Sequence, residues 1–191
     1  LRGVELSGRN VGIIGLGAIG LMVSEICHAL GMNVLGYDPY ASAVSEGIRR
    51  VELDELLMSA DFVNVHVPLT PETGGMLNSK RIGMMKSTAF LVSVSDAGVF
   101  EGDSLVDALK QKVIAGAALD VFESHPISPQ SPLLALDNVV LTPHIGGATE
   151  ETVERHSRMM TDDILRFLNG ERPVNLVNPD AWNSNQKPKR A

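Results

Sequence analysis

The chain has 191 residues, of which 44% are hydrophobic and 20% are charged, a composition typical of a globular domain with a sizeable core. Its formal net charge of -7 argues against nucleic acid or an anionic membrane surface as the main partner. The single cysteine, Cys27, excludes an internal disulfide, and no stretch reaches the roughly 18 consecutive apolar residues of a membrane helix. With no signal peptide at its start, the chain is expected in a reducing, cytoplasmic setting.

Apolar runs alternate along the chain with segments of helical periodicity. In chain order, strands are predicted at 11–17, 33–38, 61–68, 87–94, 114–122 and 138–144, and helices at 18–32, 54–60, 78–85, 101–111 and 149–170. This alternation indicates βαβ units, and the continuous apolar strands indicate a parallel sheet with both faces covered. The predicted fold class is therefore α/β, a doubly wound parallel sheet over residues 1–170, followed by an irregular tail at 171–191.

Gly15, Gly17 and Gly20 form a G-x-G-x-x-G motif. The motif closes the first predicted strand and opens the first predicted helix, which is the context that a dinucleotide-binding turn requires. Gly15 would permit the tight turn, Gly17 would let the backbone approach a pyrophosphate, and Gly20 would let helix and strand pack closely. Free N–H groups at the helix N-terminus would then bind the phosphates. The alternative is a tight turn that binds no ligand.

Asp38 ends the second predicted strand, about 20 residues after the glycines. At this position a carboxylate can accept hydrogen bonds from the hydroxyls of the adenosine ribose. It would repel a 2′-phosphate, and the next residues, Pro39, Tyr40, Ala41 and Ser42, offer no arginine to receive one. The predicted cofactor is therefore NAD, and NADP is disfavoured. A turn carboxylate with no ligand is the alternative for Asp38.

These two motifs belong to a longer pattern. The stretches GRNVGIIGLGAIG, HVPLTPETGGMLN, LVSVSDAGVFEGDSLVDAL, AGAALDVFESHP and NVVLTPHIGGAT resemble the D-2-hydroxyacid dehydrogenases of the phosphoglycerate dehydrogenase type, and together they span residues 8–149. The resemblance implies a Rossmann-type NAD-binding domain in an oxidoreductase that transfers hydride between NAD and a small hydroxy or keto substrate. It also implies a homodimer formed through this domain.

The resemblance assigns further residues to the cofactor site. Val67 and Pro68 would lie along the adenosine, Thr73 near the cofactor, and Asp120 against the nicotinamide carboxamide. Gly146 and Gly147 would follow the catalytic histidine where the chain passes the nicotinamide. The complete predicted cofactor set is Gly15, Gly17, Ala18, Ile19, Gly20, Asp38, Val67, Pro68, Thr73, Val94, Ser95, Asp120, His144, Gly146 and Gly147.

The candidate catalytic residues depart from the family pattern. His144 in TPHIGG matches the family histidine, which exchanges a proton with the substrate hydroxyl. Asp96 stands where the family has an arginine that binds the substrate carboxylate, and His125 stands where it has a glutamate that supports the charged histidine. No arginine lies between Phe90 and Pro143. Because Asp96 repels a carboxylate, the pocket is expected to disfavour a 2-hydroxy acid anion.

Two hypotheses follow from these departures. In the first, the protein is an enzyme in which Asp96 hydrogen-bonds His144 or His125 and orients it toward a substrate without a carboxylate. In the second, the domain binds NAD without turnover and acts as a regulatory or assembly module. For His125, a solvent-exposed loop position is the alternative to a catalytic role. No metal site is indicated, because no His, Cys or carboxylate cluster has ligand spacing.

The resemblance also implies a substrate domain that this sequence does not contain. In the family, the active site lies in the cleft between the substrate domain and the NAD-binding domain. Residue 1 corresponds to the start of the NAD-binding domain, so the chain is expected to be a fragment or a naturally truncated protein. The segment NLVNPDAW resembles the family's return into the substrate domain, which favours a fragment.

Overall fold

The computed structural model describes residues 3–41 and 45–182 and confirms an α/β fold with one parallel sheet. Within these residues, seven strands lie in the order β3-β2-β1-β4-β5-β6-β7. They are β1 Asn10–Ile14, β2 Asn33–Tyr37, β3 Ile48–Arg50, β4 Phe62–Val65, β5 Phe90–Ser93, β6 Gly116–Leu119 and β7 Val139–Leu141. The α-helices are α1 Ala18–Ala29, α2 Leu53–Ser59, α3 Ser79–Ile82, α4 Ser104–Lys110 and α5 Glu150–Leu168.

The edge strand β3 is the one element of the sheet that the sequence did not predict. It has three residues, Ile-Arg-Arg, and so lacks the apolar run that marks the other strands. It pairs in parallel with β2, and Gly36 lies opposite Arg50. Several predicted elements are also longer than the observed ones; the strand predicted at 114–122, for example, extends only from Gly116 to Leu119. Short strands are expected where loops leave the sheet to form a site.

The residues that the structure describes divide into two compact units, one up to Gly146 and one from Gly147 onward. The first unit contains the whole sheet and α1 to α4, and the second contains α5. The predicted domain boundary at residue 170 and the predicted absence of a substrate domain stay predictions. Among the helices of the residues that the structure describes, none has the length and apolar character needed to cross a membrane.

Apolar side chains cover both faces of the sheet, which confirms the doubly wound arrangement. On one face, Val11 and Ile13 of β1 are fully buried in a cluster that includes residues of α1. On the other face, Ile14 and Val63 are buried in a cluster with residues of α2, α3 and α4. Cys27 of α1 is partly buried against the first of these clusters, as expected for an inert thiol, and burial raises its pKa.

The carboxyl ends of the strands align along one edge of the sheet. Ile14 at the end of β1 lies between Tyr37 and Val65, and Ser93 at the end of β5 lies opposite Leu119. The chain runs outward from β1 to β2 and β3 on one side, and through β4 to β7 on the other. The order of the strands therefore switches between β1 and β4, the place in such sheets where ligands bind.

The second unit consists of α5 and the segment that follows it. Thr149 caps the helix, because its Oγ1 accepts a hydrogen bond from Thr152 N at 3.1 Å. The carboxylate of Asp163 accepts hydrogen bonds from the backbone N–H groups of Val174 and Asn175, at 2.6 and 3.0 Å. The part of the predicted tail around residues 174 and 175 is thus irregular in conformation but tied to the helix.

Candidate functional site

The glycine motif forms the turn between β1 and α1, and the protein's own packing requires two of its glycines. Gly15 has a φ of +92°, and a Cβ there would lie 2.7 Å from the carbonyl oxygen of His66. A Cβ on Gly20 would collide with the carbonyl oxygen of Gly15, so only glycine lets α1 approach β1 this closely. The turn thus has the backbone conformation and close packing that the sequence predicted for these two positions.

Unlike Gly15 and Gly20, Gly17 is not required by the protein's own packing. It is the N-cap of α1 and has no side-chain cap, and a Cβ there would meet no protein atom within 4 Å. Ala18 and Ile19 follow in the exposed first turn, which contains no acidic side chain. The first N–H groups of a helix have no partner within the helix and carry the positive end of its dipole. The turn therefore fits a pyrophosphate, because backbone donors are accessible and the first turn of α1 contains no carboxylate.

Asp38 lies half-buried just after β2, beside the glycine turn. Its Oδ2 accepts a hydrogen bond from Leu16 N at 2.9 Å, and its Oδ1 accepts one from Tyr40 N at 2.8 Å. Each carboxylate oxygen can accept a second hydrogen bond. The side chain is thus held in place at the edge of the sheet and keeps the capacity to accept from ribose hydroxyls.

Arg50 is a residue near this site that the sequence did not single out. From the end of β3, its guanidinium donates hydrogen bonds to the backbone oxygens of Asp38 at 3.0 Å and Ala41 at 2.8 Å. Arg50 lies 12 residues after Asp38, beyond the short segment in which an arginine for a 2′-phosphate is expected. No sequence signal marked Arg50, because its place beside Asp38 depends on the pairing of β3 with β2.

The loop after β4 contains the predicted residues Val67, Pro68 and Thr73. A Cβ on Gly15 would lie 2.9 Å from Val67 Cγ1, so Val67 borders the glycine turn. Thr73 Oγ1 donates to the carbonyl oxygen of Pro68 at 2.6 Å and accepts from Thr70 N at 2.8 Å. In this structure Thr73 shapes the loop that holds Val67 and Pro68.

The loop after β5 contains Val94, Ser95 and Asp96. Val94 is exposed, whereas Ser95 is buried and donates through its Oγ to the carbonyl oxygen of Val65 at 3.0 Å. Asp96 is exposed, and its Oδ1 accepts a hydrogen bond from Gly98 N at 2.8 Å. It thereby caps a 3₁₀ turn at Ala97–Val99. In the described part of the chain, no hydrogen bond joins Asp96 to His144 or His125, so the predicted Asp–His pair is not formed.

Asp120 is buried directly after β6 and holds the turn that carries His144. Its Oδ1 accepts from Thr142 Oγ1 and from Ile145 N at 2.9 Å, and its Oδ2 accepts from Gly146 N at 2.9 Å. Its backbone oxygen also accepts from His144 N at 2.9 Å. These hydrogen bonds, led by the one from Thr142, lower the pKa of the Asp120 carboxyl. The carboxylate therefore anchors residues 142–146.

His144 and His125, two of the predicted catalytic residues, lie side by side. Their ring centroids are 4.9 Å apart, and both side chains are exposed. His144 adopts a φ of +57°, which is uncommon for a residue other than glycine and is held here by the Asp120 hydrogen bonds. Gly147 begins the second unit, and a Cβ added to Gly147 would meet no atom within 4 Å.

The carboxyl edge around these histidines is acidic. No lysine or arginine occurs in segments 94–103, 120–131 or 142–148. The acidic residues of these segments are Asp96, Glu101, Asp103, Asp120 and Glu123. Lys110, the last residue of α4, and Lys112, in the loop before β6, lie at the opposite edge. Among the residues that the structure describes, no group of three or more His, Cys, Asp or Glu side chains could hold a metal ion.

A cavity that sequence reasoning missed flanks the loops of Asp96 and His125. It has a volume of about 250 Å³ and is lined mainly by apolar side chains, among them Phe100, Val106 and Phe122. Its wall includes Ala97 and Ser124, the neighbours of Asp96 and His125 in sequence. The cavity depends on the approach of the β5 and β6 loops, for which the sequence offers no local signal.

Comparison with known proteins is consistent with this geometry. Residues 1–146 match the family model described as "D-isomer specific 2-hydroxyacid dehydrogenase, NAD binding domain". The glyoxylate reductase of Korarchaeum cryptofilum is 44% identical over 181 residues, which cover 93% of this chain and 54% of that protein. The D-3-phosphoglycerate dehydrogenase of Methanocaldococcus jannaschii is 42% identical over 181 residues, covering 93% of this chain and 34% of that protein.

Among solved structures, the NAD-complexed form of the D-isomer specific 2-hydroxyacid dehydrogenase from Lactobacillus delbrueckii ssp. bulgaricus superposes with a TM-score of 0.85. It is 31% identical and is matched over 93% of this chain and 58% of its own. The chain thus spans about half the length of the glyoxylate reductase and of this dehydrogenase, and about a third of the phosphoglycerate dehydrogenase. These matches confirm the predicted resemblance and do not support a regulatory module over it. The chain belongs to the D-isomer specific 2-hydroxyacid dehydrogenase family and carries its NAD-binding domain.

Proposed function

We propose that this chain is the cofactor-binding part of an NAD-dependent oxidoreductase that acts on a small hydroxy or keto compound. The observation that carries the proposal is the turn at Gly15, Gly17 and Gly20. Two of these glycines are required by the protein's own packing, and the third leaves the helix N-terminus open to a phosphate. Asp38 lies beside this turn with its carboxylate oriented by two backbone N–H groups.

In this proposal the cofactor lies along the carboxyl edge of the sheet. The N-terminus of α1, with Ala18 and Ile19, would bind the pyrophosphate, and Asp38 would accept from the adenosine ribose. Val67 and Pro68 would border the adenosine, in the loop that Thr73 holds. Asp120 and Gly146 would receive the nicotinamide, with Val94 and Ser95 beside it. The Oδ2 atom of Asp120 accepts one hydrogen bond from the turn and can accept one more, from a carboxamide.

His144 is the residue that we propose exchanges the substrate's hydroxyl proton. Bound NAD supplies the acceptor for the hydride that leaves the substrate carbon. An imidazole nitrogen of His144 would take the hydroxyl proton during oxidation and return it during reduction. His125, with its ring centroid 4.9 Å from that of His144, would contact the same substrate group. Asp96 would face the substrate from the β5 loop, as a carboxylate oriented by Gly98 N.

The acidic residues at this edge disfavour a substrate that carries a carboxylate. A substrate carboxylate near Asp96 would meet a like charge, and no arginine or lysine in the surrounding loops compensates for it. We therefore propose a neutral or cationic hydroxy or keto compound rather than a 2-hydroxy acid anion. Because the chain covers only 54% of the glyoxylate reductase and 34% of the phosphoglycerate dehydrogenase, we also propose that a further domain completes the cleft in the working enzyme.

We further propose that the domain forms a homodimer through α1 and works in the cytoplasm. Ile19, Met22, Ile26 and Leu30 lie three or four residues apart, on one face of the helix and its C-cap, and each is between 51% and 63% exposed. An apolar stripe of this kind is unusual on a monomer and is typical of an association surface. Light scattering should show a dimer that Met22→Glu dissociates; an unchanged dimer in this variant would rule out α1 as the interface.

Isothermal titration calorimetry with NAD tests the central proposal. We expect the chain to bind NAD in the micromolar range and Asp38→Ala to bind far more weakly. Asp137→Ala serves as a matched control, because Asp137 is an exposed aspartate before β7, at the amino edge of the sheet. Circular dichroism confirms that each variant is folded. Absence of NAD binding by the unmutated chain, or equal binding by Asp38→Ala, would refute the proposal.

A further inference from the structure

We propose that Arg50 is a second determinant of cofactor choice in this protein. It holds the loop that presents Asp38, and it is the cation that would receive a 2′-phosphate once the charge of Asp38 is removed. The proposal rests on the proposed binding of an adenine dinucleotide at this edge of the sheet. The observation behind it is the pair of hydrogen bonds from the guanidinium to the backbone oxygens of Asp38 and Ala41.

The position of Arg50 follows from the strand pairing. β3 runs parallel to β2, and Arg50 lies opposite Gly36, two residues before Asp38. Alternate residues of a strand point to opposite faces, so the neighbouring Arg49 has a different environment. The guanidinium of Arg49 pairs with Glu55 at 2.9 Å, whereas that of Arg50 reaches the loop after β2. Two adjacent arginines thus have separate roles.

The predicted ribose site has a negative group, the Asp38 carboxylate, and a positive group, the Arg50 guanidinium, and the two contact different atoms. The Asp38 carboxylate is directed toward Leu16 N and Tyr40 N, and Arg50 binds the backbone oxygen of the same residue. In the described part of the chain, the ion pairs include none between Asp38 and Arg50. The carboxylate could therefore accept from a ribose hydroxyl, while the guanidinium is bound to the backbone oxygen of the same residue.

This arrangement predicts how the site would respond to a 2′-phosphate. With Asp38 ionised, repulsion of the phosphate outweighs the attraction of Arg50, so NAD is preferred. With a neutral side chain at residue 38, the guanidinium becomes the dominant charge at the ribose. Guanidinium groups bind phosphate strongly, with paired N–H donors in a planar fork. Preference for NAD therefore depends on Asp38, and latent affinity for NADP depends on Arg50.

Calorimetry with NAD and with NADP, at one fixed ionic strength, tests this inference. The variants are Asp38→Asn, Arg50→Met and the double variant, with Asp38→Asn/Arg49→Met as the matched control. We expect Asp38→Asn to raise the affinity for NADP roughly tenfold. The double variant with Arg50→Met should lose this gain, and the control with Arg49→Met should keep it. Arg50→Met alone should weaken NAD binding a few-fold through loss of the loop contacts.

Two outcomes would overturn the inference. The first is that Asp38→Asn/Arg50→Met keeps the gain in NADP affinity. The second is that Asp38→Asn still binds NAD but gains no affinity for NADP. Circular dichroism of each variant separates these outcomes from loss of fold. The ratio of NADP to NAD affinity is the decisive quantity, because a merely structural role of Arg50 would weaken both cofactors equally. If the unmutated chain binds neither cofactor, the proposed function itself fails.

Discussion

Replacing Asp120 with asparagine should destabilise the turn that carries His144. The change keeps the shape of the side chain but substitutes a donor for one of the two acceptor oxygens. At least one of the backbone groups Ile145 N and Gly146 N would then face an N–H group. A hydrogen bond to a charged group contributes about 1.5–3 kcal/mol. Because Asp120 is only 7% exposed, water can replace little of this loss.

We therefore expect Asp120→Asn to lower the free energy of unfolding by about 2–3 kcal/mol at pH 7. For a chain of this size, this corresponds to a fall in Tm of roughly 4–12 °C. Urea unfolding followed by circular dichroism measures the change. Asp137→Asn is the control, because Asp137 is exposed and its side chain makes no hydrogen bond in the described part of the chain. Equal effects of the two substitutions would show that Asp120 does not hold the turn.

The lowered pKa of Asp120 predicts that the stability lost in Asp120→Asn depends on pH. Hydrogen bonding lowers the pKa of Asp120 in the folded protein. A carboxyl group of this kind contributes stability that is fully present above its unfolded pKa of about 3.9 and is lost as the pH falls through the folded value. The stability difference between the chain and Asp120→Asn should be constant between about pH 5 and 7 and should shrink below about pH 4. A difference that persists unchanged at low pH would contradict the role of the charge.

Four further substitutions test other parts of the structure. Gly17→Ala should leave Tm unchanged and weaken NAD binding, because the new methyl group meets no protein atom, whereas Gly20→Ala should lower Tm by collision with Gly15. His66→Leu should remove a loss of stability that sets in as the pH falls through about 6.5, since burial lowers the pKa of His66 below its unfolded value near 6.5 and protonation therefore favours unfolding. Thr149→Ala should cost about 0.5–2 kcal/mol of stability in the unit that contains α5, through loss of the N-cap.

Each of these changes has a measurement and a contradicting result. Thermal unfolding with NAD titration separates the two glycine variants, and equal Tm values for both would contradict the packing argument. Urea unfolding at a series of pH values measures the stability of the chain and of His66→Leu. If the two stabilities change in parallel with pH, the imidazole of His66 is not the titrating group. Thr161→Ala, also on α5, is the control for Thr149→Ala, and helix content by circular dichroism should fall more in the cap variant.

The sequence by itself determined the class of fold and the cofactor turn. Alternating apolar strands and helices predict a doubly wound sheet because hydrophobic periodicity is a local property of the chain. The roles of Gly15 and Gly20 are likewise predictable, since a strand, a turn and a helix that follow one another leave few ways to pack. His144 and His125 were marked by the residues next to them in sequence.

Only the tertiary structure decided which groups these side chains contact. Arg50 reaches Asp38 because a three-residue edge strand, with no apolar run of its own, pairs with β2. Asp120 holds a turn 22 to 26 residues further along the chain, and Asp96 binds its own loop instead of a histidine. These contacts depend on which strands are neighbours and on where each loop leaves the sheet. Local sequence carries little information on either, because both follow from the packing of the whole domain.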